Sequence, residues 1–195
     1  MATAKFDTKL GHEVERHPDG ALTRHTYFEP REEVMCALVQ DLFEEHWQRI
    51  VVGPCLEGAV FEICFSEKPK VHISDGYLTV NLGAWHFHLC IGKHKGSPSE
   101  ELRANRPVAR ISLWDRRGKG CTHGQSWGLR LWNGYGEQMT TVFLPNPWLT
   151  DDMQVRKQPD WSRLELYYRL REKYLGETVP GDFEQAANVS WEEEG

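Results

Sequence analysis

The chain has 195 residues, of which 39% are hydrophobic and 27% charged, and a formal net charge of −6. That balance predicts a soluble globular domain with a real core and argues against a dedicated nucleic-acid partner. No segment approaches the roughly 20 apolar residues a spanning helix needs, and the first residues carry no apolar stretch of signal-peptide length, so the expected setting is cytoplasmic with no membrane partner.

Residues 1–29 are polar and irregular, with His12, His17 and His25 among charges; they read as an extended lead-in. Residues 30–52 predict the clearest helix. Pro30 suits a first turn, Glu32 and Glu33 sit at its positive end, and Met35, Leu38, Val39, Leu42, Phe43, Trp47 and Ile50 recur at three- and four-residue steps up to Gly53-Pro54. The period then falls to two. Residues 57–65 read as a strand, and 70–74 and 77–82 as a hairpin across Asp75-Gly76. A strand over 84–91 follows. Ser97 and Pro98 open a short helix, 107–114 is a further strand, and residues 116–120 form a basic loop. Residues 127–132 and 138–144 pair as a second hairpin. Asp160 caps a helix over 161–175, closed by Gly176, and 177–195 is an acidic, frayed tail. The organisation is therefore a lead-in, a single α+β domain over 30–176 and a tail. The fold is a mainly antiparallel sheet of six or seven strands with the 30–52 and 161–175 helices against it.

The most informative stretch is Gly83-Ala-Trp-His-Phe-His-Leu-Cys-Ile-Gly92. On a strand, Trp85, Phe87, Leu89 and Ile91 share one face and His86, His88 and Cys90 the other. A second pair of ligand-bearing residues, Cys121 and His123, has the same two-residue step. Imidazole and thiolate from two neighbouring extended segments would suit zinc or iron, copper less well. Five cysteines, an odd and dispersed set, do not form a disulfide framework. The H-x-H step on a strand resembles that of cupins and α-type carbonic anhydrases, but the likeness stops at His86-Phe-His88 and implies membership of neither.

Other motifs point elsewhere. Gly124-Gln-Ser-Trp-Gly128 has the spacing of a nucleophile elbow, but a strand rather than a helix follows Ser126, and no histidine lies after His123. His12 and His17 are five apart, one too many for a zincin helix. Arg130 and Arg110 project from strands and suit an anionic substrate. Glu62 among Phe61, Ile63 and Phe65 is a candidate general base, and His94 a candidate proton shuttle or further ligand. Trp85, Trp114, Trp127 and Trp132 are candidate pocket walls.

The reading is a small metalloprotein acting on a small, anionic molecule through a metal held by His86, His88, Cys90, Cys121 and His123. Glu62, His94 and Arg130 would be its catalytic residues. Two alternatives accompany it: a non-catalytic metal- or ligand-binding protein, and a metal-free enzyme using the same histidines and cysteine. Oligomeric state stays open.

Overall fold

β-branched and aromatic residues in alternation fold the chain into a seven-stranded antiparallel sheet in the computed structural model, which describes residues 5–56, 58–96, 98–118 and 122–191. The elements run β1 (Lys9–Arg16), β2 (Leu22–Phe28), α1 (Glu32–Val39), β3 (Val51–Gly53), β4 (Cys55–Leu56), β5 (Ala59–Val60) and β6 (Ile63–Cys64). They continue with β7 (Lys70–Ser74), β8 (Tyr77–Asn81), β9 (His86–Cys90), α2 (Glu100–Asn105), β10 (Val108–Arg117), β11 (Gln125–Asn133), β12 (Gln138–Phe143), α3 (Glu165–Leu175) and α4 (Phe183–Ala187). The large sheet has the order β1-β2-β10-β11-β12-β3-β6; β7-β8-β9 form a separate three-stranded sheet and β4-β5 a short hairpin. The architecture is α+β, as its strand and helix patterns predict. No helix among the described residues is long and apolar enough to cross a membrane.

The inner face of the large sheet carries Phe28, Ile111, Leu113, Leu129, Leu131 and Val142. These join one hydrophobic cluster with Met35 and Leu38 of α1, Leu166, Leu170 and Tyr174 of the α3 helix, and Leu78, Val80 and Leu89 of the small sheet. Burial of this apolar surface is the main term holding the layers together, at roughly 25 cal/mol per Å². Asp75 and Gly76, with φ of 48° and 75°, make the expected tight turn between β7 and β8.

Several boundaries differ from the sequence reading. The 30–52 helix ends early. α1 passes into a π-helical turn over Gln40–Glu45, a short 3-10 turn follows, and Val51–Gly53 leaves the helix to pair with β12 as Thr141↔Gly53 and Phe143↔Val51. Two adjacent valines gain a complete ladder there that a last helical turn cannot offer. The π turn has its own use. It presents Asp41 to α3, where Lys173 Nζ donates at 2.8 Å and Tyr174 Oη at 2.6 Å. The 57–65 strand is broken into β4, β5 and β6. Ser99, and not Ser97, caps α2, accepting from the Leu102 N–H at 3.1 Å; Ser97 lies outside the described residues. The lead-in supplies β1 and β2, a hairpin turned at Pro18-Asp19-Gly20 whose second strand pairs with β10 in the large sheet.

The tail is also structured through Trp191. Asp182 caps α4, Phe183 stacks on Tyr168 with ring centroids 5.3 Å apart, and Trp191 lies buried against two guanidiniums, Arg24 at 5.1 Å and Arg117 at 4.1 Å from its ring. Arg117 also donates to the carbonyls of Ala187 at 2.7 Å and Val189 at 2.5 Å. Arg116 and Arg117 thus belong to β10 and not to a basic loop.

Gly128 fixes the outer face of the sheet. Its cross-strand partners are Trp114 on β10 and Phe143 on β12, whose rings meet edge to face at 5.8 Å. A Cβ at this position would sit 2.5 Å from Trp114 Cζ2 and 2.5 Å from the Val142 carbonyl oxygen. Neither neighbour can yield without moving a strand. Gly128→Ala is expected to destabilise the fold by about 2–3 kcal/mol, read as a lower urea midpoint at unchanged slope.

Candidate functional site

The large sheet takes its long helices on one face, so the opposite face must satisfy its own polar and aromatic groups. Antiparallel register places directly paired residues on the same side. One outward row runs Glu13–His25–Trp114–Gly128–Phe143–Val51, and the next runs Tyr27–Ser112–Arg130–Thr141–Gly53. From these rows Trp114, Phe143, Val51 and Arg130 line the floor of a cavity of about 580 Å³, a size that suits a small organic ligand. Its walls come from the β4–β6 segment, with Cys55, Val60, Glu62 and Cys64, and from residues 145–153, with Asn146, Leu149 and Met153.

Electrostatically the cavity is the reverse of the chain. Four arginines line it, Arg49, Arg116, Arg130 and Arg163, against two carboxylates, Glu62 and Asp151. Arg163 is committed to Asp151 at 2.8 Å and Arg116 to Asp19 at 3.2 Å. Arg130 has no hydrogen bond or ion pair among the described residues; its cation lies 5.6 Å from the centre of the Trp114 ring. Burial lowers its pKa from the usual arginine value, opposed by Cys55 and Glu15, and leaves it a cation at neutral pH. Three buried donors with no acceptor belong to lining residues: Arg130 Nε, Arg116 Nε and Trp114 Nε1. Burial pushes the Cys55 and Cys64 thiols up, so both are neutral in neutral solution.

On the same outward face, next to Trp114, His25 is held between Ser112 Oγ, 2.9 Å from Nδ1, and Glu15 Oε2, 3.4 Å from Nε2, with the Trp132 ring edge-on at 5.8 Å. Burial, and then the Arg130 cation, lower its pKa to about 4; Glu15 and Glu13 oppose the shift.

The residues expected to form one centre are distributed over three places. Arg130 and Glu62 do line the same cavity. His86, His88 and Cys90 lie on β9 of the small sheet, with the predicted alternation: Phe87 and Leu89 face the core, and His86 and His88 are exposed. The two imidazole rings are edge to face at 5.0 Å, and His88 Nδ1 is 2.7 Å from Thr79 Oγ1, which leaves Nε2 open. Cys90 is buried below them, donates weakly to the Gly92 carbonyl at 3.5 Å, and has its thiol pKa raised by that burial. His94 is buried edge-on to Tyr77 at 5.3 Å, with Nε2 unpaired. His123 is exposed at the entry to β11, stacked on Trp148 at 4.1 Å; Cys121 lies outside the described residues. Among the described residues no three His, Cys, Asp or Glu side chains are placed to hold a metal ion. Two imidazoles fit two positions of a coordination sphere, and the neutral Cys90 thiol turned to Gly92 does not extend it.

Trp114 and Trp127 line the cavity, while Trp85 packs against Phe65 at 5.9 Å and Trp132 carries Arg110 at 4.3 Å. The sequence reading missed Arg116 and Cys55. Arg116 alternates with Trp114 along β10 as Arg130 does with Gly128 along β11, a signal that becomes visible once the two strands are known to pair.

His25 yields a pH prediction. Its folded pKa lies below the ordinary 6.5. Above pH 6.5 its contribution to stability is complete. Between 6.5 and about 4 the unfolded chain takes a proton that the folded chain refuses, so stability falls with pH. The loss saturates below 4 at on the order of 3 kcal/mol. Urea unfolding of the parent and of His25→Gln at pH 7 and pH 4.5 should show a parent that loses more stability than the variant; equal losses would contradict the assignment.

A protein-family model described as "Family of unknown function (DUF7676)" matches residues 12–176. No curated protein matches the chain.

Proposed function

The chain belongs to this DUF7676 family, whose description names no activity, and we propose from the cavity itself that the protein binds a small organic anion on the outer face of its large sheet. The observation that carries the reading is the set of three buried donors without acceptors, Arg130 Nε, Arg116 Nε and Trp114 Nε1, all on residues of one cavity. A buried unpaired donor costs about 1–3 kcal/mol, and a bound carboxylate or similar anion returns that cost for each donor it meets. Trp114 and Phe143 supply flat apolar contact beside the cation. Among the described residues Glu62 has no hydrogen bond or cation partner, so in an enzymatic version it accepts the proton while Arg130 orients the substrate.

Titration calorimetry with acetate and benzoate at low salt tests the reading. Binding by the parent and about a 10–100-fold loss in Arg130→Gln, with the melting temperature held, is the expected result. Binding unchanged by the substitution would refute it.

A second reading retains a metal. The exposed His86 and His88 rings, 5.0 Å apart with His88 fixed by Thr79, present two imidazole nitrogens from one strand face. Zinc or iron, with copper less favoured, would take such ligands together with donors from another source. Elemental analysis of untagged protein beside a His86→Ala/His88→Ala variant decides it: near-stoichiometric metal lost in the variant supports the reading, and metal-free protein that also fails to take up added zinc refutes it.

A further inference from the structure

The cavity has an inverted polarity. Ligand cavities in soluble proteins usually set apolar groups inside and polar ones at the opening. Here the inside carries Arg130, between Ser112 and Thr141 in its row, both fully buried. The outer walls carry apolar side chains in contact with water: Val60 on β5 is 59% exposed and Met153 43% exposed, and both line the cavity. Leu56 and Phe61 lie on the first of these wall segments and Val155 two residues beyond the second, each more than half exposed. Leu10, Val14, Tyr135 and Val189 are exposed elsewhere, and the other large exposed apolar residues of the described chain lie on or next to the two segments that wall the cavity. Solvation alone does not favour such a rim.

Resting on the anion-binding reading above, we infer that the ligand is an amphipathic carboxylate. Its acid group lies at Arg130, and its apolar tail leaves between Val60 and Met153. The headgroup follows from the donors. Arg116 already shares its charge with Asp19, so among the sheet residues that line the cavity Arg130 is the uncommitted cation, beside three N–H groups; half-buried Arg49, from the turn before β3, also lines it and has no ion pair among the described residues. A single carboxylate, with two oxygens and one negative charge, matches that set. A phosphate dianion would need Arg49 as well as Arg130 to balance its charge, in a site that Glu62 also lines. The tail follows from the walls. Val60 and Met153 are flexible or branched apolar groups on opposite segments, so an alkyl chain between them buries surface on both sides.

The test is calorimetry with acetate, butyrate, hexanoate and octanoate, with octylamine and octyl phosphate as comparisons, on the parent, Arg130→Gln and Val60→Asn/Met153→Gln. The inference predicts that affinity rises about three- to fourfold per methylene along the carboxylate series. The slope should flatten in Val60→Asn/Met153→Gln while acetate binding is kept, and octylamine should not bind the parent. Acetate and octanoate binding equally well would overturn the tail and leave the anion reading intact. Octyl phosphate binding tenfold more tightly than octanoate would overturn the headgroup. Octylamine binding as well as octanoate, with neither affected by Arg130→Gln, would overturn both this inference and the anion reading. Circular dichroism of each variant separates lost binding from lost fold.

Discussion

A sheet with its long helices on one face leaves the other face a problem that water alone does not solve. β10 and β11 run through the middle of the large sheet, so their outward residues are crowded by neighbours on both sides. Trp114 needs space, which Gly128 provides by having no side chain. Arg130 needs polar surroundings, and its row supplies only two small hydroxyl residues, Ser112 and Thr141. The cavity is the outcome of these two demands. An aromatic pair closes over a glycine, and a cation next to it is left without a carboxylate of its own.

The inner face solves its polar problem differently. Asp115 points from β10 into the core side, where Arg24 donates at 3.1 Å and Tyr167 Oη lies 3.4 Å away. Arg171 bridges onward, donating to Tyr167 Oη at 2.8 Å and to Glu177 at 2.7 Å and 3.0 Å. Every charge in that chain has an opposite one in reach, and the Tyr167 hydroxyl is pushed far above its usual range by burial and Asp115. This network stitches α3 to the sheet as a structural element. The contrast with the outer face is the physical reason to look for a ligand on one side and not on the other. Both faces bury arginine, and one of them leaves it unpaired.

Local chemistry made much of this legible in the sequence. Asp75-Gly76 specified its hairpin, the 161–175 segment closed by Gly176 contains the second long helix, though its first turn is 3-10 and Asp160 makes no side-chain cap bond, and the alternation along β9 correctly sorted Phe87 and Leu89 from His86 and His88. Alternation states which residues share a face but not what that face meets. The histidine face meets solvent, and the arginine face of β11 meets a cavity. The end of the first helix was hidden for a related reason. Val51 and Val52 suit a helical period as well as a strand, and the deciding partner, β12, lies some 90 residues later. The sequence reading joins Glu62 and Arg130 to one metal site with His86 and His88, but their gathering with Trp114 and Arg116 depends on strand order, which spacing along the chain does not encode.

The clamp on Trp191 carries the packed structure beyond the residues that the family model matches. The family match stops at residue 176, but the chain returns after α4 to place an indole between Arg24 on β2 and Arg117 on β10. Two adjacent strands are thereby strapped together from outside by a segment that follows all of the sheet in sequence. The β2–β10 ladder is complete in its own hydrogen bonds, and the indole adds a side-chain strap across it, so proteolytic cleavage behind α3 would remove the strap and leave the ladder.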